Sequence, residues 1–306
     1  MFDTGDGMLE ERLLDFLTAE PTADWEPSQL LVLRLCSQAW RDKVTYALFA
    51  GCSQRLANED AQVRAAAVSA LAAASNPRRT DEDESGENEA SAVAVAAAVK
   101  SLKDASVDVR RVALRTLAHV APCGDAACME QASALLTDPA WPVRWASVDA
   151  VAWLAQGGSQ ATVQRALELL SWRLRDADWP VRRAAASGLH HLLQFVNALS
   201  EELEDQHGLE MDALQLPRPK DLQNSVEHMI LQPCLRLLQD PMVQVRQAAL
   251  DLLPWLCQSA LEDVIRALHC LLQNEQVAEL RRAAEKVLDQ LTVTRTLQSS
   301  CLGEAH

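Results

Sequence analysis

The chain has 306 residues, 49% of them apolar, and a net charge of −15. That apolar share suffices for a continuous core, while an acidic chain without a long basic run excludes a general nucleic-acid binder. The longest Ala/Val-rich run, Ala92 to Val99, is far too short to span a bilayer, and Met1 to Leu14 is acidic rather than ordered like a secretory signal, so the expected compartment is cytosol or nucleus, with no membrane partner.

The negative charge is concentrated. Asp81, Glu82, Asp83, Glu84, Glu87 and Glu89 carry six charges, and Glu201, Glu202, Glu204 and Asp205 carry four more, which leaves about −5 for everything else. The eight cysteines are scattered through apolar patterns without any Cys-x-x-Cys pair. They read as reduced core residues of an intracellular protein rather than as a zinc site.

Two amphipathic stretches, about Met8–Ala19 and Ser28–Trp40, open the chain and predict an N-terminal helical cap over residues 1–41. Beyond them one pattern recurs. Val63-Arg64, Val109-Arg110, Val143-Arg144, Val181-Arg182, Val245-Arg246 and Leu280-Arg281 are spaced by 46, 34, 38, 64 and 35 residues. Six residues before each arginine stands Asn58, Asp104, Asp138, Asp176, Asp240 or Glu275. Seven after it stands Leu71, Leu117, Val151, Leu189, Leu253 or Leu288. Self-similarity at this period means a repeat array over residues 42–291.

Each unit predicts two helices. The second, the B helix, starts near the Val-Arg. Counting from each arginine, minus-one, plus-three, plus-seven and plus-ten are apolar or small, the period of an amphipathic helix. Alanines at plus-two and plus-three (Ala66, Ala67, Ala113, Ala146, Ala184, Ala185, Ala248, Ala249, Ala283, Ala284) let neighbouring helices approach closely. The first, or A, helices are expected near Asp42–Leu56, Ser91–Lys103, Ala126–Leu136, Ala161–Leu174, Ser225–Leu238 and Leu261–Leu272. Pro142 and Pro180 suit a first helical turn, where a missing N–H costs nothing.

Two insertions account for the long spacings. Residues 76–89 read as a disordered acidic loop, given their charge and lack of apolar residues. Residues 197–224 hold Leu209, Met211, Leu214 and Leu216, enough for one short helix. Glu285 stands where other units are mostly apolar, which predicts a polar-faced last unit that closes the array. Residues 292–306 are expected to form a tail.

The pattern Asp-x-x-x-x-Val-Arg-x-x-Ala-x-x-x-Leu, as at Asp104–Leu117, Asp138–Val151, Asp176–Leu189 and Asp240–Leu253, resembles HEAT repeats of the short class also found in bilin lyases. The resemblance implies an all-α, right-handed α-α superhelix of the HEAT/armadillo type, with about six helix pairs plus the N-terminal helices. It implies that the recurring Asp and Arg form a structural ladder from repeat to repeat, and that the B helices line the binding face.

At 100° per residue, plus-one, plus-five and plus-eight of a B helix point away from the core, with plus-nine at the edge. Plus-one reads Ala65, Arg111, Trp145, Arg183, Gln247 and Arg282. The polar residues there mark exposure, so Trp145 is expected to face solvent. The resulting face carries Arg111, Arg115, His119, Trp145, Asp149, Trp153, Arg183, His190, His191, Asp251 and Trp255. Trp and Arg are the residues that most often anchor a partner. Trp141 and Trp179, ahead of Pro142 and Pro180, are expected to pack as wedges between repeats.

No Gly-rich phosphate loop, His-Glu-x-x-His or Gly-x-Ser-x-Gly occurs, and no histidine is followed by Glu. No catalytic residue, metal or cofactor is expected. The expectation is a non-catalytic scaffold or adaptor holding a protein segment with acidic and aromatic residues. The rival is a bilin or tetrapyrrole lyase or chaperone, which the family resemblance leaves open.

Overall fold

The computed structural model describes residues 46–74, 84–207, 227–256 and 261–303. Those residues are all-helical, with twelve α-helices and no strand among them. The expected helices Met8–Ala19 and Ser28–Trp40, and with them the cap over residues 1–41, lie outside the described residues. The chain divides into two compact units, Met1–Ala150 and Val151–His306.

In the first unit the helices are α1 (Tyr46–Arg55), α2 (Ala61–Ala74), α3 (Glu84–Ser101), α4 (Val107–Val120), α5 (Ala126–Ser133) and α6 (Trp141–Leu154), whose last turn crosses into the second unit. A 3-10 turn, Ala134–Thr137, follows α5. In the second unit α7 (Gln160–Arg173), α8 (Trp179–His207), α9 (Gln232–Leu237), α10 (Val243–Leu252), α11 (Leu261–Asn274) and α12 (Ala278–Gly303) follow. The fold in each unit is the expected alternation of A and B helices. Neighbouring B helices lie against each other: α2 on α4 in the first unit, α8 on α10 and α10 on α12 in the second.

Core packing follows the repeat register. Val63, Val109, Val143, Val181 and Val245, the residues just before the arginines, are wholly buried, and Leu280 nearly so. Ala67, Ala113, Ala185, Ala249 and Ala284 at plus-three are wholly buried too. A methyl group is all that fits there, because the next helix occupies the space a larger side chain would need. The A helices add local caps. Asp125 accepts from the Cys128 N–H at 3.0 Å, and Ser159 accepts from the Thr162 N–H at 3.3 Å, each satisfying a donor left free by the helix start.

Three boundaries differ from expectation. Helix α3 begins at Glu84, so Glu84–Glu89 of the expected acidic loop is helical; residues 76–83 lie outside the described residues. Helix α8 runs through His207, so 197–207 of the second insertion continues a B helix, and 208–224 lies outside the described residues. Glu and Gln are good helix formers, and a charged surface does not stop a helix whose other face is already docked. Helix α12 likewise runs to Gly303, where a tail was expected from 292. Before α9 the backbone makes a π turn, Glu227–Leu231, ahead of Pro233, which lacks the N–H needed for a regular ladder.

The recurring arginines and acids make one repeated motif. The Arg64 guanidinium donates from Nε and Nη2 to the Asp104 carboxylate at 2.7 and 2.8 Å, and from Nη1 to the carbonyls of Asn58 and Glu59 at 2.7 and 2.8 Å. Arg110 does the same with Asp138 at 2.8 and 3.0 Å and with the carbonyls of Asp104 and Ala105. In the second unit Arg246 grips Glu275 at 2.7 and 3.1 Å, and Arg182 donates from Nε to Asp240 at 2.7 Å. Each arginine thus ties its own A–B turn to the acid of the next turn. The acids are themselves oriented: Asp104, Asp138, Asp240 and Glu275 each accept from the backbone N–H two residues on, at 2.8 to 3.0 Å. Charge-assisted, two-pronged bonds of this kind are the strong class of hydrogen bond.

The Arg64 hydrogen bonds hold the Asp104 carboxyl below the usual carboxylate range, against the upward pull of burial. At Glu275 burial pulls upward, and the Arg246 bond together with the Val277 N–H outweighs it, leaving that carboxyl lowered as well. A carboxyl whose folded pKa is depressed contributes stability above its unfolded pKa and loses it as pH falls through the folded value. Wild-type stability should therefore fall as pH drops below about 4. Asp104→Asn should be less stable at pH 7 and lose less between pH 6 and 2, measured by urea unfolding at each pH. Arg110→Ala should cost about 3 kcal/mol, because it leaves the Asp138 carboxylate buried without its cation. Arg110→Lys should recover only part of that loss, since an ammonium cannot fork.

Candidate partner-binding faces

In the first unit the predicted site residues on α4 and α6 come together. On α4, Arg111, Arg115 and His119 follow one another at four-residue steps, so they form a stripe. Arg115 and His119 are exposed, and Arg111 is half-buried and ion-paired with Asp108 at 3.0 Å. On α6, Trp145 and Asp149 hold the plus-one and plus-five places, and Asp149 is exposed. Trp145 does not project freely into solvent as expected. It is half-buried, and the Arg115 guanidinium carbon sits 6.0 Å from its ring centroid. Plus-one lies on the flank of the exposed sector, so a side chain as large as indole leans toward the neighbouring helix. There the Arg115 cation meets the negative face of the ring.

Trp141 is not a buried wedge. It is 42% exposed. It lies four residues before Trp145 and therefore only about 40° around the helix from it. Val107 and Val243 occupy the same minus-three place in their repeats and are exposed as well, at 37% and 38%. The outward sector of a B helix thus begins one turn earlier than the arginine-based reading places it. Trp179, the corresponding residue of α8, is half-buried.

In the second unit Trp153, Arg183, His191 and Asp251 are exposed, and Asp251 accepts from the Gln247 amide at 2.8 Å. Trp255 does not continue the α10 face. Pro254 denies the helix an N–H, the chain tightens into a 3-10 turn at Leu253–Trp255, and the indole folds back toward α8. It meets His190 edge-on with ring centroids 5.9 Å apart, and His190 meets His191 in the same way at 5.5 Å. Burial holds the His190 imidazole below its ordinary pKa. The neighbouring His191 adds to that, while Asp251 pulls the other way. His190 is therefore a neutral packing partner for Trp255 at pH 7.

Sequence reasoning missed Trp172. At 65% it is the most exposed of the large apolar side chains described, and Arg175 stands 5.9 Å from its ring. Its position carried a signal. The buried residues of α7 are Thr162, Val163, Ala166, Leu167, Leu170 and Ser171, a stripe that puts Trp172 on the opposite side of the helix.

Among the described residues no group of three or more His, Cys, Asp or Glu side chains could hold a metal ion. Burial, with Asp125 beside it, pushes the Cys128 thiol up to about 12, so that thiol stays protonated. A cavity of about 600 Å³ in the second unit lies between the α9–α10 and α11–α12 turns. The charged groups on its wall, Asp240, Arg246 and Glu275, are committed to the arginine forks.

Residues 95–190 match the family described as HEAT repeats. Over that span the chain is similar to HEAT repeats. Solved structures with this fold include the designed armadillo repeat protein YIII(Dq)4CqI, 19% identical over 80% of this chain and 98% of that one, with TM-score 0.53. A second is the designed armadillo repeat protein YIII(Dq.V1)4CPAF in complex with peptide (KR)4, 21% identical over 78% and 98%, with TM-score 0.53. A third is a computationally designed armadillo repeat protein for modular peptide recognition, 19% identical over 80% and 98%, with TM-score 0.51. At these identities the likeness is one of fold. A search of curated proteins gives no match. Among the described residues no helix is long and apolar enough to cross a membrane.

Within these repeats the two members of the Arg115–Trp145 pair should behave differently on truncation. Arg115→Ala should change stability by no more than about 0.5 kcal/mol, as expected for a surface side chain. Trp145→Ala should cost about 1–2 kcal/mol through lost aromatic burial. Thermal and urea unfolding of both variants check this.

Proposed function

We propose that this chain is a non-catalytic scaffold or adaptor whose B helices hold a segment of a partner protein. The sites are Arg111, Arg115, His119, Trp145 and Asp149 in the first unit, and Trp153, Arg183, His191 and Asp251 in the second; Trp255, turned back onto His190, is not one of them. The observation that carries the reading is the Arg115–Trp145 pair. The guanidinium carbon stands over the ring at 6.0 Å, and the exposed group keeps N–H donors for a carboxylate, which arginine receives in forked pairs. A cation held in place before binding loses little side-chain freedom when the partner arrives.

The fold supports the same direction. One protein sharing it was solved with a basic peptide, (KR)4. Here the corresponding class of surface offers Arg115 and Arg183 instead, so the charge preference turns toward acidic partners. A partner with aromatic residues would add stacking on Trp145 and Trp153.

The test is a pull-down with mass spectrometry, comparing the wild-type chain with Trp145→Ala/Arg183→Glu after circular dichroism shows both to be folded. Partners lost only from the variant are the expected result, and they name the process. Identical partner lists from the two proteins would sink the assignment of these faces.

A further inference from the structure

Three neighbouring B helices of the first unit present different chemistry at equivalent places. On α2 the plus-one and plus-five residues are Ala65 and Ser69, both half-buried, and the Ser69 hydroxyl is turned back onto the Ala65 carbonyl at 3.1 Å. On α4 plus-five is the exposed Arg115. On α6 plus-one and minus-three are Trp145 and Trp141. Moving from α2 to α6, the surface changes from small, to cationic, to aromatic.

The order is held in place. Arg64 ties the α2 turn to Asp104, and Arg110 ties the α4 turn to Asp138. The wholly buried Ser147 donates to the Ala132 carbonyl at 2.7 Å and fixes α6 on α5. Among the described residues the Arg115 guanidinium makes no hydrogen bond, and its packing partner is the Trp145 ring. Arg111, by contrast, is already ion-paired with Asp108. Arg115 is therefore the cation with the most binding capacity on α4.

Packed helices lie about 8–10 Å apart, and an extended chain advances about 3.3 Å per residue. A segment crossing these helices therefore moves about three residues for each helix it passes. Resting on the function proposed above, we infer that the first unit reads an extended acidic protein segment in a fixed register. An Asp or Glu carboxylate meets Arg115. About three residues to one side, an aromatic or branched aliphatic side chain lies against Trp141 and Trp145. About three residues to the other side, residues of any bulk are accepted because Ala65 and Ser69 are short.

Selection of a random nine-residue peptide library on the full chain tests this, with counter-selection on Arg115→Glu. The expected result is a set of peptides, lost on Arg115→Glu, that share an Asp or Glu and carry an apolar residue two to four positions away, always on the same side. Fluorescence anisotropy on individual peptides should then show at least about a tenfold loss for Arg115→Glu. Trp141→Ala should weaken the apolar-containing peptides and leave versions with Ser in place of that apolar residue unchanged. Trp141 is 42% exposed and outside the buried core, so circular dichroism should show this variant folded. If Arg115-dependent acidic peptides emerge with no apolar residue at a fixed spacing, the face stands and the register falls. If no selected peptide responds to Arg115→Glu or to Trp145→Ala, the register and the face fall together.

Discussion

An arginine that must satisfy two turns at once organises this protein. The guanidinium groups of Arg64, Arg110, Arg182 and Arg246 each spend one nitrogen on the carbonyls of their own A–B turn and their remaining edge on the acid of the turn that follows. The acid in turn caps a backbone N–H at the start of its own B helix. A single bonding pattern therefore closes a turn, starts a helix and positions the next repeat. The buried valine just before the arginine and the buried alanine three residues after it have no freedom to shift, because the fork fixes the register from the solvent side.

That economy explains what could be read beforehand. The period, the helix pairs and the buried positions were legible because the constraint repeats, and repetition separates a structural residue from a local accident. The likeness to HEAT repeats could be recognised on the same residues. Elements that do not repeat were harder to place. Residues 81–89 read as a loop because six charges without apolar residues carry no periodicity, yet α3 begins within them, at Glu84, its later turns being docked. Trp255 was placed on a helical face by counting from Arg246. The count ignored Pro254, one residue earlier, which ends the helix before the indole can follow it.

The binding faces were only half legible, for a different reason. Counting around a helix says which sector a residue leaves from, not where a long side chain comes to rest. Trp145 leaves from the outward sector and ends against Arg115. Trp141 precedes the arginine by three and reads as a wedge ahead of Pro142, although in a helix that begins at Trp141 it shares the sector of Trp145. Trp172 lies on an A helix, outside the comparison of B-helix positions altogether. In each case the missing information was the neighbour, which sequence spacing does not supply.

The fork also separates distance along the chain from distance in space. Arg110 reaches Asp138 across 28 residues, Arg246 reaches Glu275 across 29, Arg64 reaches Asp104 across 40, and Arg182 reaches Asp240 across 58, all with closest contacts of 2.7 to 2.8 Å. Lengthening the chain between two such partners adds little to the entropy of closing it, since that cost grows only with the logarithm of length. The spans between one B helix and the next turn are thus natural ports. New sequence can be spliced in there, and with it new recognition elements, without renegotiating the joints on either side.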